Sequence, residues 1–197
     1  MSFYGPERKQ GVLLPTNDKR RNIVMPADPL AAVAIIRVRA PQESVLLLRR
    51  NSNPRDPWSG HFSFPGGRKD DTDSSLLATC MRETQEETGI ILTPEAMCAI
   101  LPASYAGSRT EAQILVQPYL FQLDTRPPLE LDHREIESSC WLDLARFRQK
   151  ELHVSAEVLP HRITTAFPID DYYLWGFTYK LLTRVLETSG PLAPSSA

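Results

Sequence analysis

Three glutamates spaced along one short segment, Glu83, Glu86 and Glu87, are the residues of this chain whose types and spacing most call for a chemical explanation. They follow a glycine pair, Gly66-Gly67, and an acidic turn, and the segment that bears them closes on Gly89. At about 100° per residue the three carboxylates fall on one stripe of a helix, while Leu77, Cys80, Met81 and Thr84 fall on the neighbouring one. Like charges three and four residues apart repel, and acidic side chains near a helix C-terminus oppose its dipole. Local stability therefore does not account for the cluster. A hard divalent cation does, since Mg²⁺ takes one or two protein carboxylates and completes its shell with water and substrate phosphates. The competing reading is a solvated acidic face with Arg82 as its counter-charge.

Such a helix must be bounded and delivered to its place. Ser74 or Asp73 is expected to cap its N-terminus by accepting from an unpaired backbone N–H, and Gly89 to close it in a left-handed conformation. Residues 62–65, Phe-Ser-Phe-Pro, read as a short strand that delivers the glycine pair.

Residues 66–90 resemble the Nudix box. That pattern runs Gly, five residues, Glu, seven residues, Arg-Glu, an aliphatic, any residue, Glu-Glu, any residue, Gly and an aliphatic. Arg82, Glu83, Glu86, Glu87, Gly89 and Ile90 match its second half in register. Thr84 stands where an aliphatic is usual, Asp73 where a glutamate is usual, and eight residues separate Asp73 from Arg82. The resemblance implies an α/β fold, a sandwich with a mixed β-sheet between helices, and hydrolysis of a phosphoanhydride with Mg²⁺, or Mn²⁺ in its place. On this reading Glu83 and Glu87 are the principal metal ligands and Glu86 an additional or water-mediated one. Arg82 orients a glutamate, and the carbonyl of Gly66 or Gly67 completes the shell, because a side chain there would block close approach.

The loop before the box bears on substrate choice. Arg49, Arg50 and Arg55 have forks suited to phosphate oxygens, and Trp58 or Phe64 can stack on a base or pack a pantetheine-like chain. The alternative is that Trp58 anchors a lid and the arginines are surface charges. This stretch also resembles the segment before the box in coenzyme A pyrophosphatases, at Leu47, Leu48, Ser52, Gly60, Phe64, Pro65, Gly66 and Gly67. It departs from that signature at Asn51, at Arg55-Asp56 and at Trp58. The subgroup resemblance implies coenzyme A or an acyl-CoA as substrate, split into 4′-phosphopantetheine and adenosine 3′,5′-bisphosphate. ADP-ribose, a nucleotide sugar or an oxidised nucleotide is the alternative, and a non-catalytic nucleotide-binding module a further one.

Elsewhere, residues 1–28 mix basic residues with prolines and read as an extended or partly disordered arm, with a short strand at 11–14. Apolar runs at 30–38 and 44–48, with a turn at 41–43, read as a hairpin. Strands are expected at 97–105 and 113–123, the second with Pro118 at an edge or bulge. Glu135, or second to it Glu137, matches the position from which the family often supplies an extra carboxylate opposite the box. Residues 142–150 read as a short helix, 151–168 as an irregular connection able to overhang a site, 172–175 as a strand, and 176–188 as a helix with Phe177, Leu181, Val185 and Leu186 inward. A closing segment at Leu174-Trp175-Gly176 also resembles the coenzyme A subgroup. The expected organisation is one domain over 29–188 with a flexible tail at 189–197.

With 22 basic against 24 acidic residues among 197, the charge balance does not advertise nucleic acid as a partner. No stretch reaches the roughly 18 to 20 apolar residues of a membrane span, and no signal segment is recognisable, so a cytoplasmic protein with a small-molecule nucleotide substrate is expected. A homodimer is compatible with the sequence. Cys80, Cys98 and Cys140 lack metal or redox spacing and read as small core residues, and none of the four histidines forms a metal-ligand pair.

Overall fold

The computed structural model describes residues 28–52, 59–107 and 113–188. The basic arm before residue 28, the strand expected at 11–14, Arg55, Trp58 and the tail at 189–197 lie outside the described residues.

Strands β1 (Ala31–Ala40) and β2 (Ser44–Arg50) are the expected hairpin, but they remain paired only near its turn, at Arg37 opposite Val45 and Val38 opposite Ser44. Beyond that point they splay, and the segment before the acidic turn fills the gap. Its β3 (Phe62–Ser63) pairs with β2, and its β4 (Gly66–Arg68) pairs with β1, so that Gly66 lies opposite Val33 and Gly67 opposite Ala32. Helix α1 (Leu76–Thr88) follows. Then come β5 (Met97–Ile100), β6 (Ser104–Ala106), β7 (Ile114–Thr125) and β8 (Ile136–Asp143). β7 runs parallel to β1, whereas β5 and β6 pair antiparallel with the far side of β7 and β8 antiparallel with β2, which makes the sheet mixed. The chain ends through α2 (Leu144–Phe147), the hairpin β9 (Val154–Leu159) and β10 (Arg162–Ile169), β11 (Tyr172–Leu174) and α3 (Gly176–Thr188). Strands β9, β10 and β11 form a second, three-stranded sheet.

Alternation along the apolar runs assigns the two faces. Ala32, Ala34, Ile36, Leu46 and Leu48 pack with Cys80, Leu77 and Met81 of α1, while Ile35, Val45 and Leu47 pack with Leu181, Leu182 and Val185 of α3 and with Phe167 and Leu174 of the second sheet. At roughly 1.5–3 kcal/mol for each large side chain removed from water, these two layers hold the sheet between the helices. The α/β sandwich is therefore as expected.

Five local expectations need correction. Ser75, not Ser74 or Asp73, caps α1, its side chain accepting from the Ala78 N–H at 3.1 Å. Gly89 closes the helix as expected, at φ 72° with its N–H on the Gln85 carbonyl. Pro118 lies in an interior strand, between the β7 residues that pair with β5 and those that pair with β6, so its missing N–H falls at a break in the ladder. Residues 151–168 are largely the β9–β10 hairpin, because Ala156 and Val158 alternate inward on β9 and Ala166 and Phe167 are buried on β10. The helix expected over 142–150 shrinks to Leu144–Phe147, where Asp143 ends β8 and caps it. Cys98 is exposed, unlike the buried Cys80.

Candidate active site

Helix α1 crosses β4, and the glycine pair lets the two meet. The Gly66 N–H donates to Oε2 of Glu87 at 2.9 Å, tying strand to helix across the intervening turn. Gly66 adopts φ +143°, and a Cβ there would run into the Ala32 carbonyl. A Cβ on Gly67 would instead stand 2.5 and 2.6 Å from the two carboxylate oxygens of Glu83. The first glycine thus permits the strand pairing and the second makes room for a carboxylate.

Glu87 is buried, only 5% exposed, and burial pushes its carboxyl up to about 8. Burial also raises Glu83, against the opposing pull of Arg82. The charges of Glu83 and Glu135 further raise Glu87. Arg50 stands with Nη1 4.0 Å from Glu87 Oε1. Two neighbouring carboxylates held back from ionisation mainly by burial form a hard-oxygen donor set, and such a set suits a small divalent cation.

Arg82 does not face the same space. Its Nε donates to Asp73 Oδ1 at 3.0 Å and its Nη2 to Asp73 Oδ2 at 2.9 Å, while Nη1 reaches Glu83 Oε1 at 3.0 Å and Glu86 Oε2 at 2.9 Å. Asp73 is itself buried and also accepts from the Asp70 N–H and the Thr79 hydroxyl, each at 2.9 Å, and its bonds to Arg82 hold its carboxyl well below the usual range. Glu86 is thereby turned to Arg82, with its side chain 58% exposed. Among the described residues no three His, Cys, Asp or Glu side chains already stand together as a metal site.

A cavity of about 520 Å³ opens over the Gly66-Gly67 strand. Of the residues anticipated from sequence, Arg50, Phe64, Gly67, Glu83, Glu87 and Glu135 line it, whereas Arg49, Arg82 and Glu86 do not. Arg49 turns the other way, with Nη1 on Asp171 at 2.9 Å, Nε 3.5 Å from Glu137 and its guanidinium over the Tyr172 ring. That pairing leaves Glu135, not Glu137, at the cavity. The turn bearing Glu135 is fixed by the Asn51 N–H on the Glu135 carbonyl at 2.8 Å and the Asn51 side chain on the His133 carbonyl at 2.9 Å. The Asp132 N–H, on the Glu87 carbonyl at 3.2 Å, joins the same turn to the end of α1.

The Nudix domain family model matches residues 28–161. The Salmonella paratyphi B protein named Nudix hydrolase NudL is 32% identical over 159 residues, which span 79% of this chain and 80% of that one. The chain belongs to the Nudix hydrolase family. A Schizosaccharomyces pombe protein is 36% identical over 111 residues, 51% of this chain but 32% of its own length. Among solved structures, a bifunctional NMN adenylyltransferase/ADP ribose pyrophosphatase from Francisella tularensis, complexed with AMP and Mn, superposes with TM-score 0.57 at 18% identity over 82% of this chain and 42% of that one. That likeness is one of fold.

Within the Nudix box both departures from the pattern have structural places. Thr84 is buried where an aliphatic is usual, and its hydroxyl is satisfied by the Cys80 carbonyl at 2.7 Å, one turn back. Asp73 grips Arg82 despite its shorter side chain and the longer spacing. The cavity is also lined by His61, Tyr105, Arg162, Trp175, Phe177 and Lys180, none of which was named as a site residue from the sequence. Their signals in the sequence were the closing segment Leu174-Trp175-Gly176 and the reading that residues 151–168 could overhang a site, and the β9–β10 turn does bring Arg162 to the cavity.

Proposed function

We propose that this Nudix protein hydrolyses the diphosphate bridge of a nucleoside diphosphate joined to a second moiety, with Mg²⁺ or Mn²⁺ bound by Glu83 and Glu87. The observation that carries this reading is the placement of those two carboxylates, one turn apart on α1, on the wall of a cavity that also holds Arg50 and the exposed carboxylate of Glu135. A bound divalent ion would supply charge neutralisation on the diphosphate oxygens and a lowered pKa for an attacking water. The chain's own residues do the rest. Glu135 accepts a proton from the water as its oxygen bonds to one phosphorus, and the bridging P–O bond breaks to leave two phosphate-bearing halves. Arg50 binds a phosphate oxygen, Phe64 supports the wall, and Arg82 acts indirectly by fixing Glu83. The Gly66 or Gly67 carbonyl would add a ligand to a bound ion, and Glu86 would join the shell on leaving Arg82.

ADP-ribose and nucleotide sugars are the first substrates to consider, since an ADP ribose pyrophosphatase is among the proteins that share this fold. A coenzyme A substrate is the second reading, favoured by the match at Leu47, Leu48, Ser52, Gly60 and residues 64–67 to the coenzyme A pyrophosphatase segment. The test is a panel of ADP-ribose, nucleotide sugars, oxidised nucleotides, coenzyme A and acyl-CoA, incubated with Mg²⁺, with the products identified by mass. Release of paired phosphate-bearing fragments from at least one member supports the proposal. Binding without product from any of them would leave a nucleotide-binding module.

A further inference from the structure

The cavity that holds the glutamates is also lined by cationic and aromatic side chains. Arg162, at the start of β10, and Lys180, in the first turns of α3, line the same space as Glu83 and Glu87, and among the described residues neither makes an ion pair with a carboxylate. Arg162 is exposed on a hairpin, where a long side chain ordinarily wanders. Here its guanidinium lies 5.0 Å from the centroid of the Trp175 ring, and the Trp175 ring is in turn met by His61 in an edge contact at 4.7 Å. The stack fixes where the fork points without consuming its charge. Trp175 itself lines the cavity, so the stack holds the Arg162 guanidinium at the cavity's edge.

The charges around the cavity favour a polyanion. Arg50, Arg68, Arg162 and Lys180 face Glu83, Glu87 and Glu135, so cations outnumber carboxylates even before a divalent ion is added. The diphosphate bridge requires only the groups nearest the glutamates, and Arg50 already stands there. The surplus charge of Arg162 and Lys180 lies in the cavity that also carries the flat groups Trp175 and His61, which suit a nucleoside. Resting on the proposed hydrolysis of a nucleoside diphosphate derivative, we infer that Arg162, held by Trp175, and Lys180 form a subsite for a phosphomonoester on the nucleoside half of the substrate, separate from the bridge that is cleaved.

The test is direct binding, which does not depend on turnover. Calorimetric affinities of the 197-residue chain for AMP and for adenosine 3′,5′-bisphosphate and adenosine 2′,5′-bisphosphate are compared at one salt concentration in the presence of Mg²⁺. At least one bisphosphate is expected to bind about tenfold more tightly than AMP, the gain typical of one charge-assisted contact. Arg162→Ala is expected to bring that ratio close to one, Arg162→Lys to restore part of it, and Lys180→Ala to reduce it. The position of the preferred phosphate then reports which ribose oxygen carries the group. Equal affinity of the wild-type protein for all three nucleotides would overturn the subsite, as would a preference that survives in Arg162→Ala. A uniform loss of affinity for AMP and the bisphosphates alike would also overturn it, by placing Arg162 at the bridge. The proposed hydrolysis stands or falls separately, on whether any substrate of the panel yields product.

Discussion

Arg82 and Asp73 are joined by two parallel hydrogen bonds, Nε to Oδ1 at 3.0 Å and Nη2 to Oδ2 at 2.9 Å, which orient the guanidinium so that its remaining nitrogen meets both Glu83 and Glu86. Removing the carboxylate would leave the Thr79 hydroxyl and the Asp70 N–H without their acceptor as well. Asp73→Ala is therefore expected to lower stability by about 2 kcal/mol, read from urea unfolding, and to reduce kcat by about tenfold through Glu83. Asp73→Glu, which restores the residue usual in the box, should recover much of both. Unchanged kcat in a destabilised Asp73→Ala protein would show that the network is structural only.

Glu87 and Glu83 share the cavity, but Glu87 is the more deeply buried and is held by the Gly66 N–H. Glu87→Gln keeps that hydrogen bond and loses the charge. Its fold should persist by circular dichroism, while turnover with Mg²⁺ falls by about a hundredfold or more, beyond the loss usual for residues that only orient a ligand.

The raised carboxyl of Glu87 makes a signed prediction for the metal-free protein. Its folded value of about 8 lies above the ordinary 4.5, so between those limits the folded state keeps a proton that the unfolded chain has lost. Stability contributed by this group is full below about pH 4.5 and falls as pH rises towards 8. Glu83 is shifted in the same direction and adds to the slope, whereas Asp73 is depressed and weakens the fold only as the solution becomes strongly acidic. Tm in chelator should decline across pH 5 to 8, the decline should be shallower in Glu87→Gln, and Mg²⁺ should oppose it by binding the ionised form. A Tm that rises over this interval in chelator would contradict the assignment.

The two glycines should fail differently. Gly66→Ala places a Cβ against the Ala32 carbonyl at a positive φ, and should destabilise the fold by about 2 kcal/mol or more. Gly67→Ala places its Cβ against the carboxylate of Glu83 rather than against backbone, so the protein should fold while the displaced carboxylate lowers activity and weakens Mn²⁺ binding. Paired measurements of Tm and Mn²⁺ affinity separate the two.

Arg49 and Arg50 offer a similar contrast on one strand. Arg50→Ala removes a cavity cation and should raise KM with little change in Tm. Arg49→Ala cuts contacts to Asp171 and Tyr172 and should lower Tm while leaving KM within about twofold.

The amino-acid sequence by itself determined the elements whose causes are local. Helix α1, its glutamate stripe and its Gly89 stop follow from helical periodicity and from glycine's access to positive φ, and the β1–β2 hairpin follows from two apolar runs around a turn. Tertiary structure decided what depends on partners distant in the chain. Which of two consecutive arginines faces the cavity is set by strand register, because neighbouring side chains point to opposite sides. Asp73 became an anchor for Arg82 because the turn folds it beneath the helix, and the cap passed to Ser75. The hairpin at 154–169 gains order from its pairing and from the core beneath it, and this packing carries Arg162 to the cavity beside Trp175.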